Sequence, residues 1–201
     1  MKPLIPFLML CFLAITATAQ KRQKQISLAV INIQSAMPFG KFAGIFSDQF
    51  HPGFEAGIGF NWKSKSKHDW FQEFKVGYFF HRFVQHAIPV YTDFGYRYKV
   101  SRRLTSAVMI GAGYLHSIPA TAKLKLNKNG EYENNKGIGR IQAVASFGLR
   151  VSFMINPKAS RPFSIFSQYQ QLVQMPFVKS YVPLLPYNEM MIGISRSLKS
   201  K

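Results

Sequence analysis

The chain is poor in cysteine, in acidic residues and in long apolar runs. Its single cysteine, Cys11, lies near the N-terminus. It follows Leu10 rather than a small residue and stands too early for a lipid-attachment cysteine. Beyond it there is no thiol, which excludes a disulfide framework, a cysteine metal site and a cysteine nucleophile. Asp and Glu number 8 against 26 Lys and Arg, a formal net charge of +18. A balance of that sign points to acidic partners, nucleic acid among them. No apolar run outside the N-terminal one approaches the ~20 residues of a membrane helix. There is no glycine-rich phosphate loop, low-complexity tract or clear internal repeat. Gly111-Ala112-Gly113 falls in a strand-like pattern, where glycine gives close packing or room.

What is present begins with Met1-Lys2-Pro3, an apolar run over 4–15, and Thr16-Ala17-Thr18-Ala19-Gln20. A positive start, a short apolar stretch and an A-x-A site predict a secretory signal peptide over 1–19, cleaved after Ala19. Residues 20–201 are then one domain. Export argues against nucleic acid as the acidic partner. It favours anionic lipid, lipopolysaccharide or a cell-wall polymer.

The dominant pattern is alternation. Over 53–62, Phe54, Ala56, Ile58, Phe60 and Trp62 share one face, with Glu55, Asn61 and three glycines opposite. Over 88–100, Ile88, Val90, Phe94, Tyr96 and Val100 oppose Tyr91, Asp93, Arg97 and Lys99. Over 143–153, Phe147, Leu149, Val151 and Phe153 oppose Ser146, Arg150 and Ser152. Segments 70–83, 104–116, 26–33 and 189–198 are noisier, and 163–173 is polar and ambiguous, with Gln168, Gln170, Gln171 and Gln174 nearby. This period of two predicts about eight strands, the smallest membrane barrel. Connectors 63–69, 101–103 and 156–162 are short and basic; 34–52, 84–87, 117–141 and 176–187 form a second, mostly longer set. Short periplasmic turns and longer outer loops are the expected arrangement, with both termini on the periplasmic side.

The two faces decide between a membrane barrel and a soluble one. The charged face is narrow and mixed with glycine, a poor solvent surface but a good lumen lining. The other face is rich in Phe, Tyr, Ile and Val, as a lipid-facing band requires. Aromatic content is 15%, enough for girdles at two membrane interfaces. The predicted fold is an all-β, eight-stranded antiparallel up-and-down transmembrane barrel.

This layout resembles the small eight-stranded outer-membrane barrels broadly similar to the OmpA transmembrane domain. The stretch Gln174-Met175-Pro176-Phe177-Val178-Lys179-Ser180-Tyr181-Val182-Pro183-Leu184-Leu185-Pro186-Tyr187 is also similar to a pattern in small barrel proteins of Bacteroidota. The resemblance implies an outer-membrane location and outer-membrane lipid as a neighbour. It does not imply one activity.

Three groups of residues are candidates for function. Glu55, Glu73 and Asp93 can pair with Lys75, Arg97 and Arg150 inside the barrel. They make either an ion path or a salt-bridge plug, and an eight-stranded interior is narrow enough for side chains to fill. Lys123, Lys125, Lys128, Lys136 and Arg140 crowd the longest loop and suit an acidic ligand such as lipopolysaccharide phosphate. His51, His81, His86 and His116 raise the question of a lipid-modifying ester hydrolase, but His116 and Ser117 are adjacent and point to opposite strand faces. Pro183, Leu184, Leu185 and Pro186 read as a stiff apolar loop. No cofactor or metal motif is expected. The expected role is structural or surface-interacting, with an ester hydrolase, or a narrow pore or small-ligand carrier, as the alternatives.

Overall fold

The computed structural model describes residues 24–37, 40, 49–122, 124–127, 129–134, 137–177, 181 and 183–198. The predicted signal peptide lies outside them. The described strands are β1 (Lys24–Ser35), β2 (Pro52–Ser64), β3 (His68–His81), β4 (Gln85–Lys99), β5 (Leu104–Pro119), β6 (Leu124–Leu126), β7 (Tyr132–Asn134), β8 (Arg140–Met154), β9 (Phe163–Met175) and β10 (Leu185–Leu198). Eight of them close a barrel in the order β1-β10-β9-β8-β5-β4-β3-β2, and β6 and β7 form a separate two-stranded hairpin. Every pairing is antiparallel, and β1 closes on β10 from Lys24↔Leu198 to Ser35↔Tyr187.

The alternation sorts the side chains as a closed sheet demands. On β3 the inward residues run Asp69, Phe71, Glu73, Lys75, Gly77, Phe79, His81, from the short-turn end to the long-loop end. Apolar side chains fill the lumen above and below the charges. Ile31, Ile33, Phe79, Leu115, Leu172 and Met191 pack toward the loop end, and Phe71, Ala107 and Met109 form a smaller cluster nearer the turns. Glycine makes room for these long groups. A Cβ on Gly111 would lie 2.0 Å from Asp93 Oδ1 and 2.5 Å from Ser146 Oγ.

The outward face is apolar and open. Ile110 is 66% exposed and Ile192 64%. Aromatic rings gather at both rims. Near the turns, Trp70 stacks on Phe94 at 5.5 Å and meets Tyr96 edge-on at 5.1 Å, with Trp62 beside Phe60. Near the loops, Phe54 lies 5.7 Å from Tyr78, and Phe80 4.6 Å from His86. An apolar band between two aromatic girdles is the surface of a membrane-spanning barrel. Among the described residues no helix is long and apolar enough to cross a membrane.

Several predicted boundaries move. The connector expected at 84–87 lies earlier, at 82–84: β3 ends at His81, and Gln85, Ala87 and alternate residues after them face the lumen on β4. Gln34 and Ser35 belong to β1 and Pro52 to β2. The connector expected at 117–141 is shortened by strand residues at both ends and contains the β6–β7 hairpin. Leu185 and Pro186, expected in a stiff loop, open β10, where Pro186 pairs with Val173.

Candidate functional site

The lumen holds the chemistry. Five of the chain's 8 acids face inward and are buried: Glu55, Asp69, Glu73, Asp93 and Glu189. Alternation on β2, β3, β4 and β10 aims them there, and the cations arrive from β3, β4 and β8.

The strongest link crosses the barrel. Arg150 Nη1 donates to Glu73 Oε1 at 2.7 Å and Nη2 to Glu73 Oε2 at 2.8 Å. This two-pronged fit matches the planar guanidinium to the carboxylate. Arg150 Nε donates to Gln168 Oε1 at 2.8 Å, and Gln168 Nε2 to Gln170 Oε1 at 2.6 Å. Gln170 Nε2 then donates to the Tyr91 hydroxyl at 2.8 Å, and that hydroxyl donates to Glu55. Lys75 Nζ lies 3.2 Å from Glu55 Oε1, 2.8 Å from Asp93 Oδ2 and 4.0 Å from Glu73 Oε2. The chain of partners therefore returns to Glu73 and closes on itself. Ser146 Oγ holds the other oxygen of Asp93 at 2.6 Å.

Arg97 departs from the expected pairing. Its Nη1 lies 4.0 Å from Asp69 Oδ2, and its guanidinium covers the Phe71 ring at 4.4 Å. Asp69, read from the sequence as part of a turn, is buried on β3. It takes Lys99 Nζ at 2.8 Å and the Ser64 hydroxyl at 2.5 Å. Above these pairs toward the turns lies a polar cup of about 230 Å³, lined by Ser152, Ser164, Ser195, Thr105 and Asn61 among others.

The loop end is closed by uncharged groups. Gln85 Nε2 donates to Gln174 Oε1 at 2.5 Å and to the Tyr187 hydroxyl at 3.0 Å. Ser117 donates to Gln85, and Gln174 to Gln142. These bonds run between β4, β5, β8, β9 and β10, so they span the mouth. Beside them His51 and His81 stack at 3.9 Å with their planes 8° apart. Burial holds the His51 imidazole, in the connector before β2, below the usual histidine range.

The remaining candidates do not assemble. His86 faces outward and bonds the Tyr78 hydroxyl at 2.8 Å. His116 Nε2 meets the Ile138 carbonyl at 2.8 Å, while Ser117 is buried in the lumen. Among the described residues no group of His, Cys, Asp and Glu is arranged to hold a metal ion. Of the basic loop, Lys123, Lys128 and Lys136 lie outside the described residues. Lys125 falls in β6, and Arg140 opens β8 with its guanidinium 5.7 Å over the Phe177 ring.

Comparison with protein-family models and with curated proteins gives no match. Solved structures do match in layout. Neisserial surface protein A aligns at a TM-score of 0.49 and 9% identity, over 88% of this chain and 96% of that one. Ail of Yersinia pestis, in complex with the heparin analogue sucrose octasulfate, aligns at 0.46 and 13% identity, over 88% and 97%. The outer membrane enzyme PagL aligns at 0.45 and 9% identity, over 85% and 97%. At these values no residue and no activity carries over.

Sequence reading missed Asp69, Glu189 and the glutamines. Glu189 was legible in principle, since it shares the face of Met191, Gly193 and Ser195. The glutamines gave no such signal, because Gln171 on the outward face of β9 obscures the inward set Gln168, Gln170 and Gln174.

Proposed function

We propose that this protein is an outer-membrane barrel of the small Bacteroidota type, exported by a signal peptide removed after Ala19. In this reading it works as a closed scaffold whose function lies in what its loop end presents. One observation carries it: side-chain bonds cross the lumen at two levels, Glu73 to Arg150 and Gln85 to Tyr187. Glu55, Glu73, Lys75, Asp93, Arg97 and Arg150 then serve to hold the barrel shut. Lys123, Lys125, Lys128, Lys136 and Arg140 form the side offered to an acidic ligand, lipopolysaccharide phosphate being the chemistry that fits. The hydrolase reading has no support in the placement of His116 and Ser117 on opposite faces.

Planar-bilayer recording tests the closed lumen. The expected trace is silent at moderate voltage. Steady ion-conducting steps would overturn the scaffold reading in favour of a pore.

A further inference from the structure

The outer wall carries a groove at the turn end of the β1–β10–β9 surface. It has a volume of about 220 Å³ and is lined by Ile26, Leu28, Phe163 and Ile194, with Arg196 at its edge. Apart from Arg196 its walls are almost wholly apolar. The register puts Arg196 directly opposite both Ile26 on β1 and Phe163 on β9. Arg196 is therefore an exposed, outward cation at the end of a lipid-facing strand. Lys24, also exposed, lies on the same face two residues before Ile26. Arg161 is close by, because the carbonyl of the next residue, Pro162, accepts from Ser197 N at 3.1 Å.

Among the described residues no acid is paired with these cations. Among the described residues the exposed acids are Glu131 and Glu133, both at the loop end around β7. Asp69, the acid nearest the turns, is buried and bonded to Lys99. Each short turn adds exposed positive charge: Lys65 and Lys67, Arg102 and Arg103, Lys158 and Arg161. An arginine at the edge of an apolar wall places its stem in hydrocarbon and its head at the level of lipid headgroups.

From this we infer that the groove seats an acyl chain of an anionic phospholipid, with the headgroup phosphate held by Arg196 and Lys24. The apolar walls take the chain, and the guanidinium suits a phosphate by its paired donors. The inference rests on the membrane reading above and adds a lipid class and a place. A soluble polyanion would meet the same charges but would have no use for the groove.

The test uses a protein with one tryptophan at the groove, Trp62→Phe, Trp70→Phe, Phe163→Trp, refolded into phosphatidylcholine vesicles. About one-fifth of the lipid is brominated, either as phosphatidylglycerol or as phosphatidylcholine. Brominated phosphatidylglycerol should quench the groove tryptophan more strongly, with a relative affinity of about threefold or more at low salt, since each nearby cation favours an anionic surface. Adding Arg196→Gln and Lys24→Gln should bring the ratio close to one, while Arg82→Gln at the loop end should leave it unchanged. If the doubly substituted protein fails to fold, salt decides: about 0.5 M should collapse the preference in the parent protein. Equal quenching by the two lipids at low salt would overturn the site, and so would a preference that survives loss of both cations. Failure to form a heat-modifiable barrel in either lipid would overturn the membrane reading beneath it.

Discussion

Replacing Glu73 by glutamine removes one negative charge and almost no volume. Glu73 is 1% exposed, so no water replaces what is lost. Its carboxylate faces Arg150 at 2.7 and 2.8 Å and Lys75 at 4.0 Å. Glutamine keeps one accepting oxygen but turns an NH₂ toward the guanidinium, so the two-pronged fit is gone. Lys75 keeps Asp93 at 2.8 Å and loses little. The loss falls on Arg150, whose remaining bonded partner is Gln168. Breaking one side of a buried ion pair costs about 3–5 kcal/mol, and the surviving accepting oxygen places Glu73→Gln near about 3 kcal/mol. With a urea slope of ~1–3 kcal/mol/M, the unfolding midpoint should fall by roughly 1–3 M. The assay is reversible urea unfolding in vesicles, followed by the fluorescence of Trp62 and Trp70. The double variant Glu73→Leu, Arg150→Met removes both charges and should recover at least half of the loss, because a buried pair exchanged for apolar groups is often close to neutral. A single variant within about 1 kcal/mol of the parent would refute the reasoning. A double variant as damaged as the single would refute it equally.

Two further outcomes follow from the outer wall and the loop end. Ile110→Arg places a cation on the open apolar face and should cost about 2–4 kcal/mol if the position lies near the bilayer midplane, read by the same urea assay. His51 titrates below its unfolded value of 6.5, so its contribution to stability is complete above that pH and is lost as the pH falls through and below it. The urea midpoint should therefore drop between about pH 7.5 and 5, and His51→Phe should flatten part of that drop; an unchanged slope in the variant would exclude His51 as its source.

How much of this could be read from the residues depends on the contrast between neighbours. β2, β4 and β8 were legible because charge or glycine alternates with large apolar groups, as in Asp93-Phe94-Gly95-Tyr96-Arg97. Glu55, Glu73, Lys75, Asp93 and Arg150 are buried, but their pairings were not legible. Pairing depends on which strands meet across the barrel, and alternation contains nothing about that. Asp69 looked like turn chemistry because it follows a run of Lys and Ser; two more residues of β3 hydrogen bonding carry it inside. β9 was ambiguous for a real reason. Tyr169 and Gln171 face outward and bond there, with the Tyr169 hydroxyl donating to Asn188 at 2.8 Å, so both faces of the strand are polar. The hairpin of β6 and β7 has exposed Leu124, Leu126 and Tyr132, so no core pattern announced it.

The seam between β1 and β10 has one more consequence. It runs unbroken from Lys24↔Leu198 to Ser35↔Tyr187, nearly the full height of the wall. Before it forms, the sheet is open and both edges present bare amide and carbonyl groups. In hydrocarbon each such group costs several kcal/mol, and no water is there to answer it. An open sheet of this length therefore has no stable place inside a bilayer. For this chain, crossing the membrane and joining its first barrel strand to its last are thermodynamically a single event.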